Sequence, residues 1–203
     1  YPDSLAYVGN IDKIFTLDTD NENLSDVHNI IKSWDKQGGY NNLGAAQWSL
    51  FYRFILDLLS ENELKVNDEI SVNLFNDALL KTRKHLIKHF GRVDILLGDL
   101  QKHTRGDISL PVSGLIDMIA PTYVTKYKDG TYRSVSGESY IMLVKYSDSN
   151  VEIETVLPYG NSNNPSSPHF TDQMKLYIDK KTKSMTLDRE SIYKNAASIY
   201  NPN

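Results

Sequence analysis

The period of the hydrophobic pattern changes partway along the chain, and this change constrains the fold more than any other feature. In residues 27–90 the apolar side chains recur every three or four positions, which is the spacing of one face of an α-helix. From residue 123 onward, apolar runs and alternating segments lie between turn residues, as in β-strands. Helices followed by strands predict an α+β fold with antiparallel strands. We therefore divide the chain into a helical region, 1–91, and a region 92–203 that holds a wrapping segment, antiparallel strands and a C-terminal helix.

The helical region predicts three helices. The first carries its apolar residues behind Ser25 or Asp26, either of which can cap it. The second follows Asn42 as its cap and has one continuous apolar stripe. The third covers about 70–90 and ends at Gly91, because glycine directly after the last periodic residue is the expected helix stop. The stripe of the second helix consists of Leu43, Ala46, Leu50, Phe51, Phe54 and Leu58.

Residues 92–120 show no clean period and contain Gly, Pro and Ser among short apolar clusters. An irregular stretch of this length is unusual inside a compact domain, so we expect it to wrap around a neighbouring part of the protein. The turn signal Asp129-Gly130 then predicts a β-hairpin between residues 123–127 and 132–135.

The nearly continuous apolar run at 140–146 predicts a strand that is covered on both faces and pairs antiparallel with residues 151–157. If Met142 or Leu143 is a full core residue, its replacement by Ala costs roughly 2–5 kcal/mol. A loop rich in Asn, Ser and Pro follows, and residues 169–178 look helical.

The composition excludes several classes of protein. With 203 residues, 40% of them hydrophobic, the chain is one large domain or two small ones. Its net charge of -4 and the lack of a basic run argue against nucleic-acid binding, and no apolar run is long enough for a membrane span. The absence of cysteine excludes disulfides, Cys-based zinc sites and Cys nucleophiles. Because the first residue is Tyr1 and not Met, we expect the chain to be a piece of a longer protein.

Two spacings suggest metal binding, but neither is complete. His85 and His89 share a helix face, yet the Glu of the zinc-protease motif is missing and surrounding lysines and Arg83 disfavour a cation, so we interpret the pair as part of a solvated face. Asp18, Asp20 and Glu22 match only the first positions of a calcium loop, which favours a plain polar turn. We therefore predict no metal site and no cofactor.

Two polar clusters have both a catalytic and a structural interpretation. Asp99, His103, Arg105 and Asp107 crowd into one irregular segment, where a His base with a carboxylate partner is possible, but without a nucleophile nearby we favour a structural knot. The second cluster, the loop at 161–173, is either a fixed loop that leads into a capped helix or a binding edge, and we favour the fixed loop. The predicted helix at 169–178 would open with His169, Asp172 and Gln173. The Asp172 carboxylate can stabilise the start of this helix, because it lies near the positive end of the helix dipole.

Three stretches, in this order and at these separations, resemble the C-terminal part of the large (beta) chain of penicillin acylases. They are GDLQKHTRG at 98–106, GESYIMLV at 137–144, and a third that begins with LPYGNS at 157–162 and continues through SPHFTDQ at 167–173 to Tyr177. The branch that holds acyl-homoserine-lactone and aculeacin acylases is the most similar one. The helical segment at 42–54 is also similar to the stretch that precedes these motifs in the family, so the resemblance covers about 34–177.

The resemblance implies an N-terminal-nucleophile hydrolase with an αββα sandwich. In that family an exported precursor is cut into a small and a large chain, and the serine at the start of the large chain attacks an amide with its own α-amino group as base. A backbone N–H and an Asn side chain stabilise the oxyanion. The implied location is periplasmic or secreted, the implied substrates are small-molecule N-acyl amides, and the implied partners are the rest of the large chain and the small chain.

This sequence departs from the family pattern because the catalytic residues lie upstream of the matched part. Tyr1 is not a nucleophile of that kind, so we expect no catalytic residue in the chain, and the substrate-binding residues stay unknown. We predict a structural role for five residues of these motifs: Asp99, Arg105, His169, Asp172 and Gln173. The alternative is a non-catalytic binding or structural module.

Overall fold

The computed structural model describes residues 19, 21–65, 70–116, 118–148 and 150–199. The chain divides into two compact units, Tyr1–Gly137 and Glu138–Asn203. Helices come first and mainly antiparallel strands follow, which confirms the predicted α+β class. The predicted division at 91/92 lies within the first unit, and it stays a prediction.

The first unit begins with helices, and the three predicted ones are confirmed. They are α1 (Ser25–Lys32), α2 (Ala45–Glu61) and α3 (Val72–Phe90). A single turn, α4 (Leu97–Leu100), leads into the first strand. None of the helices in the described ranges is long and apolar enough to cross a membrane.

The end of α3 is as predicted, but the predicted caps of α1 and α2 are wrong. Gly91 has φ 72° and caps the C-terminus of α3. Ser25 and Asp26 lie inside the first turn of α1, because a 3-10 turn at Glu22–Leu24 already starts the winding. Asn42 lies before α2 and donates a side-chain hydrogen bond to Asp35 instead of capping.

Gly44 starts α2 because no other residue fits its backbone and surroundings. Its φ is 98°, a left-handed value that favours glycine, and a Cβ atom there would lie 2.5 Å from the Cβ of Trp34. The Gln47 side chain accepts a hydrogen bond from the Gly44 N–H, so this glutamine supplies the capping contact. Close packing of Trp34 therefore decides where α2 begins.

The core of the first unit is aromatic and lies between α1, α2 and α3. The rings of Trp34 and Trp48 stack with centroids 5.8 Å apart, and those of Phe51 and Phe75 lie 5.6 Å apart. Most of the predicted apolar stripe of α2 is buried and Phe54 is partly buried, but Leu43, just before the helix, is 46% exposed.

Four strands form the first sheet in the order β2-β1-β4-β3, and β1 pairs parallel with β4. The strands are β1 (Gln101–Arg105), β2 (Ile108–Pro111), β3 (Thr122–Lys126) and β4 (Tyr132–Gly137). Since β1 and β2 make an antiparallel hairpin, the interpretation of 92–120 as irregular is wrong. The inward positions of β1 are the polar residues Gln101 and His103. The sequence of β1 therefore lacks the alternation of apolar and polar residues by which a strand is predicted.

The predicted hairpin of β3 and β4 is confirmed. The two strands pair antiparallel and are joined by a short turn at Lys128–Gly130. Asp129 has φ 54° in this turn, a left-handed conformation that Asp tolerates better than most residues.

The second unit contains a three-stranded sheet in the order β5-β6-β7 and two short helices. The predicted pairing of the 140–146 run with 151–157 is confirmed. The elements are β5 (Ile141–Ser147), β6 (Asn150–Val156), α5 (Met174–Ile178), β7 (Lys183–Met185) and α6 (Arg189–Asn195).

The predicted burial of β5 on both faces is wrong. Met142 is 49% exposed and Leu143 is 56% exposed, whereas Ile153 and Val156 of the neighbouring strand are buried. The reason is face coverage, because Met142 and Leu143 point to opposite faces of the sheet and the described elements cover neither of them fully. The predicted helix at 169–178 is also shorter than expected, since α5 begins only at Met174.

Candidate functional site

The loop of residues 157–173, called here the polar loop, connects β6 to α5 and folds onto itself. The Ser162 N–H donates to the His169 carbonyl at 3.1 Å, and the Phe170 N–H donates to the Ser167 carbonyl at 3.1 Å. The Ser167 N–H in turn donates to the Asn164 carbonyl at 3.0 Å. The many Asn and Ser residues thus make local turns, which explains the high content of these residues in this part of the sequence.

Gln173 ties the two ends of the polar loop together. Its Oε1 atom accepts a hydrogen bond from the Leu157 N–H at 2.9 Å, and its own N–H donates to the Tyr159 carbonyl at 2.9 Å. The side chain is only 5% exposed. Because a buried amide that loses its partner is costly, this glutamine fixes the distance between the end of β6 and the start of α5.

His169 and Asp172 form a histidine–carboxylate pair on the polar loop. The His169 Nδ1 atom lies 2.8 Å from the Asp172 Oδ2 atom. Gly160 faces this pair so closely that a Cβ atom there would lie 2.7 Å from the Asp172 Oδ1 atom. The pair therefore depends on glycine at this position of the LPYGNS motif.

A carboxylate on Nδ1 fixes the imidazole in the tautomer that leaves Nε2 as a base. The His169 side chain is 66% exposed, so it is accessible to small molecules. Among the described residues, however, no serine hydroxyl donates to this Nε2 atom. The arrangement orients an exposed imidazole on the polar loop, and the assignment of His169 and Asp172 as structural motif residues stays a prediction.

Tyr177, at the end of the matched motifs, is a hydrogen-bond donor in the second unit. Burial, together with the neighbouring Glu138 carboxylate, raises the pKa of Tyr177 to about 12. Its hydroxyl donates to the Glu138 Oε2 atom at 3.5 Å. The phenol therefore stays protonated at all ordinary pH values and holds α5 to the start of this unit.

The GDLQKHTRG motif has a packing function in the first unit. A Cβ atom at Gly98 would lie 2.7 Å from the Pro111 Cβ atom and 2.9 Å from the Tyr40 carbonyl oxygen. The buried Gln101 Nε2 atom donates to the carbonyls of Val112 and Gly114, at 3.2 Å and 2.8 Å. Glycine and glutamine here allow α4, β1 and the chain after β2 to approach one another closely.

The four polar residues of this segment lie in different surroundings. Asp99 is exposed on α4, and its Oδ2 atom accepts from the Leu96 N–H at 2.9 Å. His103 is buried in β1, Arg105 is half-buried at the end of the same strand, and Asp107 is exposed at the following turn. The knot that would join them stays a prediction, as does the structural assignment of Asp99 and Arg105.

His85 is not part of a solvated face, so this part of the sequence interpretation is wrong. Its Nε2 atom donates to the Gly130 carbonyl at 2.8 Å, which attaches α3 to the β3–β4 turn. Burial lowers the pKa of His85, with smaller lowering effects from His89, Lys126 and Lys88. The rings of His85 and His89 lie 4.6 Å apart, and a side chain at Gly130 would collide with the His89 ring.

No group of three or more His, Cys, Asp or Glu side chains within the described ranges is arranged to hold a metal ion. Of the three acidic residues that match the start of a calcium loop, Asp18 and Asp20 lie outside the described residues. Glu22 is exposed in the 3-10 turn before α1.

The sequence interpretation missed Gln47, which organises the centre of the first unit. Its Nε2 atom donates to the Val93 and Ile95 carbonyls, at 2.5 Å and 3.1 Å, while its Oε1 atom accepts from the Gly44 N–H. A Gln three residues after the residue that starts a helix is the second half of a capping box, and this spacing was the available signal.

The comparison with family models agrees with the motifs. The family model described as Penicillin amidase matches residues 4–194. A search of the curated proteins finds no significant match. Among solved structures, a thermostable penicillin G acylase from Alcaligenes faecalis is similar with a TM-score of 0.42 and 14% sequence identity. That comparison covers 95% of this chain and 45% of the other, so the chain spans less than half of that acylase chain. Because the family model covers nearly its whole length, the chain belongs to the penicillin amidase family.

Proposed function

We propose that the chain is the C-terminal part of the large chain of an amidohydrolase that cleaves N-acyl amides. The observation that carries this proposal is the family match over residues 4–194, together with the three stretches between 98 and 177. The acylated amine is a β-lactam side-chain amide, an acyl-homoserine lactone or an acylated peptide. Export to the periplasm or the exterior, an αββα sandwich, and association with the small chain and the rest of the large chain complete the proposal.

In this proposal the nucleophile lies outside these residues, and the chain contributes structure. An N-terminal nucleophile needs a free α-amino group next to its hydroxyl, and an internal serine gains one only by cleavage of the chain. The packing functions of Gly98, Gln101, Gly160 and Gln173 support this assignment, because the motif residues hold loops and strands close together.

The test is an assay of the purified chain with a panel of chromogenic N-acyl anilides of different acyl length. We expect no hydrolysis above the uncatalysed rate. Steady turnover that is lost in Ser162→Ala or Ser167→Ala would contradict the proposal, because it would show a nucleophile on the polar loop. The matched controls are Ser109→Ala, on an exposed strand position of the first unit, and His169→Ala, which tests the exposed imidazole of the polar loop.

A second candidate, from another class, is a non-catalytic binding or structural module that uses the same elements. The reading frame separates the two candidates. A frame that extends upstream and contains a Ser after a small residue, followed by Asn and Trp, supports the acylase. A frame that starts close to Tyr1 favours the module.

A further inference from the structure

Arg53, on α2, has a buried guanidinium nitrogen without a hydrogen-bond acceptor among the described residues. Its Nε atom is shielded from solvent and donates to no oxygen in this part of the chain. Two other arginines show the usual partner of this atom, since the Nε atoms of Arg83 and Arg92 each lie 2.9 Å from a carboxylate oxygen. Because a buried donor that loses water without gaining an acceptor is costly, Arg53 indicates a partner that the described residues do not supply.

The contact that Arg53 makes within the first unit does not satisfy its N–H groups. Its Cζ atom lies 4.8 Å from the centre of the Tyr132 ring. A ring face attracts a cation, but it is a poor substitute for an oxygen acceptor of the guanidinium N–H donors. Burial lowers the pKa of Arg53, and Tyr132 and Asp57 offset this only in part. Asp57 lies one turn further along α2, where its carboxylate is exposed and makes no described ion pair with Arg53.

The charged groups around Tyr132 are mostly cationic. Lys126 is the strand partner of Tyr132, and the His85 ring lies 6.1 Å from the Tyr132 ring. Burial lowers the pKa of this histidine, and His89, Lys126 and Lys88 lower it further. Because positive charges repel one another at these distances, this part of the first unit attracts a negatively charged partner.

We propose that Arg53 binds the carboxylate of an Asp or Glu side chain that belongs to the upstream part of the acylase large chain. The edge of a guanidinium that carries Nε and one terminal nitrogen matches the two oxygens of a carboxylate in a bidentate pair. Such a pair supplies the acceptor for the buried Nε atom, and its negative charge is opposite to that of the surrounding lysines. The inference rests on the proposed function, which makes this chain the C-terminal part of that larger one.

The effect of replacing Arg53 should depend on whether the upstream part is present. In the 203-residue chain alone, Arg53→Met preserves the apolar stem and removes a buried donor that has no acceptor, so little stability is lost. In the complete protein the same replacement leaves a buried carboxylate without its cation, which is strongly destabilising. Arg83 differs from Arg53 because its carboxylate partner, Asp26, belongs to this chain.

The test compares the melting temperatures of the 203-residue chain and of the complete protein expressed from its reading frame, each with Arg53→Met and with the matched control Arg83→Met. We expect Arg83→Met to lower the melting temperature of both proteins. Arg53→Met should lower that of the complete protein and leave that of the chain unchanged or slightly raised. An equal fall in both proteins, or no fall in the complete protein, would overturn the inference, because no upstream partner would then depend on Arg53.

A charge swap identifies the partner and is measured in the complete protein alone. We expect Arg53→Glu to lower its melting temperature, and one upstream Asp→Lys or Glu→Lys replacement to restore it. Asp57→Lys is the control, because restoration by this change would assign the carboxylate to the next turn of α2 and overturn the inference. Failure of every upstream replacement to restore the melting temperature would also overturn it. The proposed function is tested by other measurements, the upstream sequence and the hydrolysis assay, so the two failures are distinguishable.

Discussion

Replacement of Gln47 by Leu tests whether one buried amide organises the first unit. Leucine keeps the volume of the side chain but removes three hydrogen bonds, to Gly44, Val93 and Ile95. Gln47 is completely buried, so the Gly44 N–H and the Ile95 carbonyl lose their partner without gaining water, whereas Val93 is half-buried. Each unsatisfied buried group costs about 1–3 kcal/mol, and allowing for relaxation at the half-buried Val93 we expect a loss of about 3 kcal/mol in the free energy of unfolding.

The measurement is urea unfolding followed by circular dichroism and by tryptophan fluorescence, with the slope m compared between variants. The control is Asn62→Ala at the C-terminal cap of the same helix. It removes one hydrogen bond from an exposed residue to the Leu58 carbonyl, which keeps its bond from the Asn62 N–H, so it should cost less than about 1 kcal/mol. If Gln47→Leu costs no more than Asn62→Ala, the reasoning about buried amide bonds is refuted. Gln47→Glu should be worse than Leu, because it places an oxygen against two carbonyl oxygens.

Three further predictions concern single residues. Gly44→Ala should destabilise by more than about 2 kcal/mol, because the new Cβ meets Trp34 at a left-handed φ, whereas Gly91→Ala, with φ 72° and nothing within 4 Å, should cost only about 1 kcal/mol in the same urea titration. Burial lowers the pKa of His85 below its ordinary 6.5, so the folded state favours the neutral ring. The stabilisation that the neutral ring contributes is complete above pH 6.5 and is lost as the pH falls through the lowered pKa. His85→Gln should therefore flatten the decline of the urea midpoint in that range. Met142→Ala should cost less than about 1 kcal/mol by thermal melting, because the side chain is half exposed, and a loss of 2 kcal/mol or more would show that β5 is covered in solution.

Helix positions and the β3–β4 hairpin could be predicted from the sequence because their signals are local. Apolar residues at helical spacing set the face of α2, and Gly91 ended α3 as expected. Asp129-Gly130 set the position of the turn, since few residues adopt left-handed backbone conformations.

The elements that the sequence interpretation missed depend on contacts between distant residues. The start of α2 is set by Trp34 packing on Gly44, and the strands β1 and β2 are held by Gln101 bonds to carbonyls beyond the hairpin. Strand β1 was also missed because a buried polar residue such as His103 interrupts the alternation of apolar residues that predicts a strand.

For the candidate site, the sequence identified the polar loop, and the tertiary structure determined what its residues do. The pairing of His169 with Asp172 and the buried position of Gln173 follow from a loop that turns back on itself. From the three-residue separation of His169 and Asp172 alone, the sequence did not show whether Asp172 orients the histidine or lies in the first turn of a helix. That distinction depends on where α5 begins, which the structure places at Met174.

The sequence by itself determined the order of helices and strands, the main turns and, through its motifs, the penicillin amidase family. Only the tertiary structure decided which apolar faces are covered. The apolar run of β5 has the same composition whether its faces are covered or open, and in the structure Met142 and Leu143, on opposite faces, are both about half exposed. The physical reason is that side-chain direction is set within a segment by the backbone, whereas burial depends on which other segments pack against it.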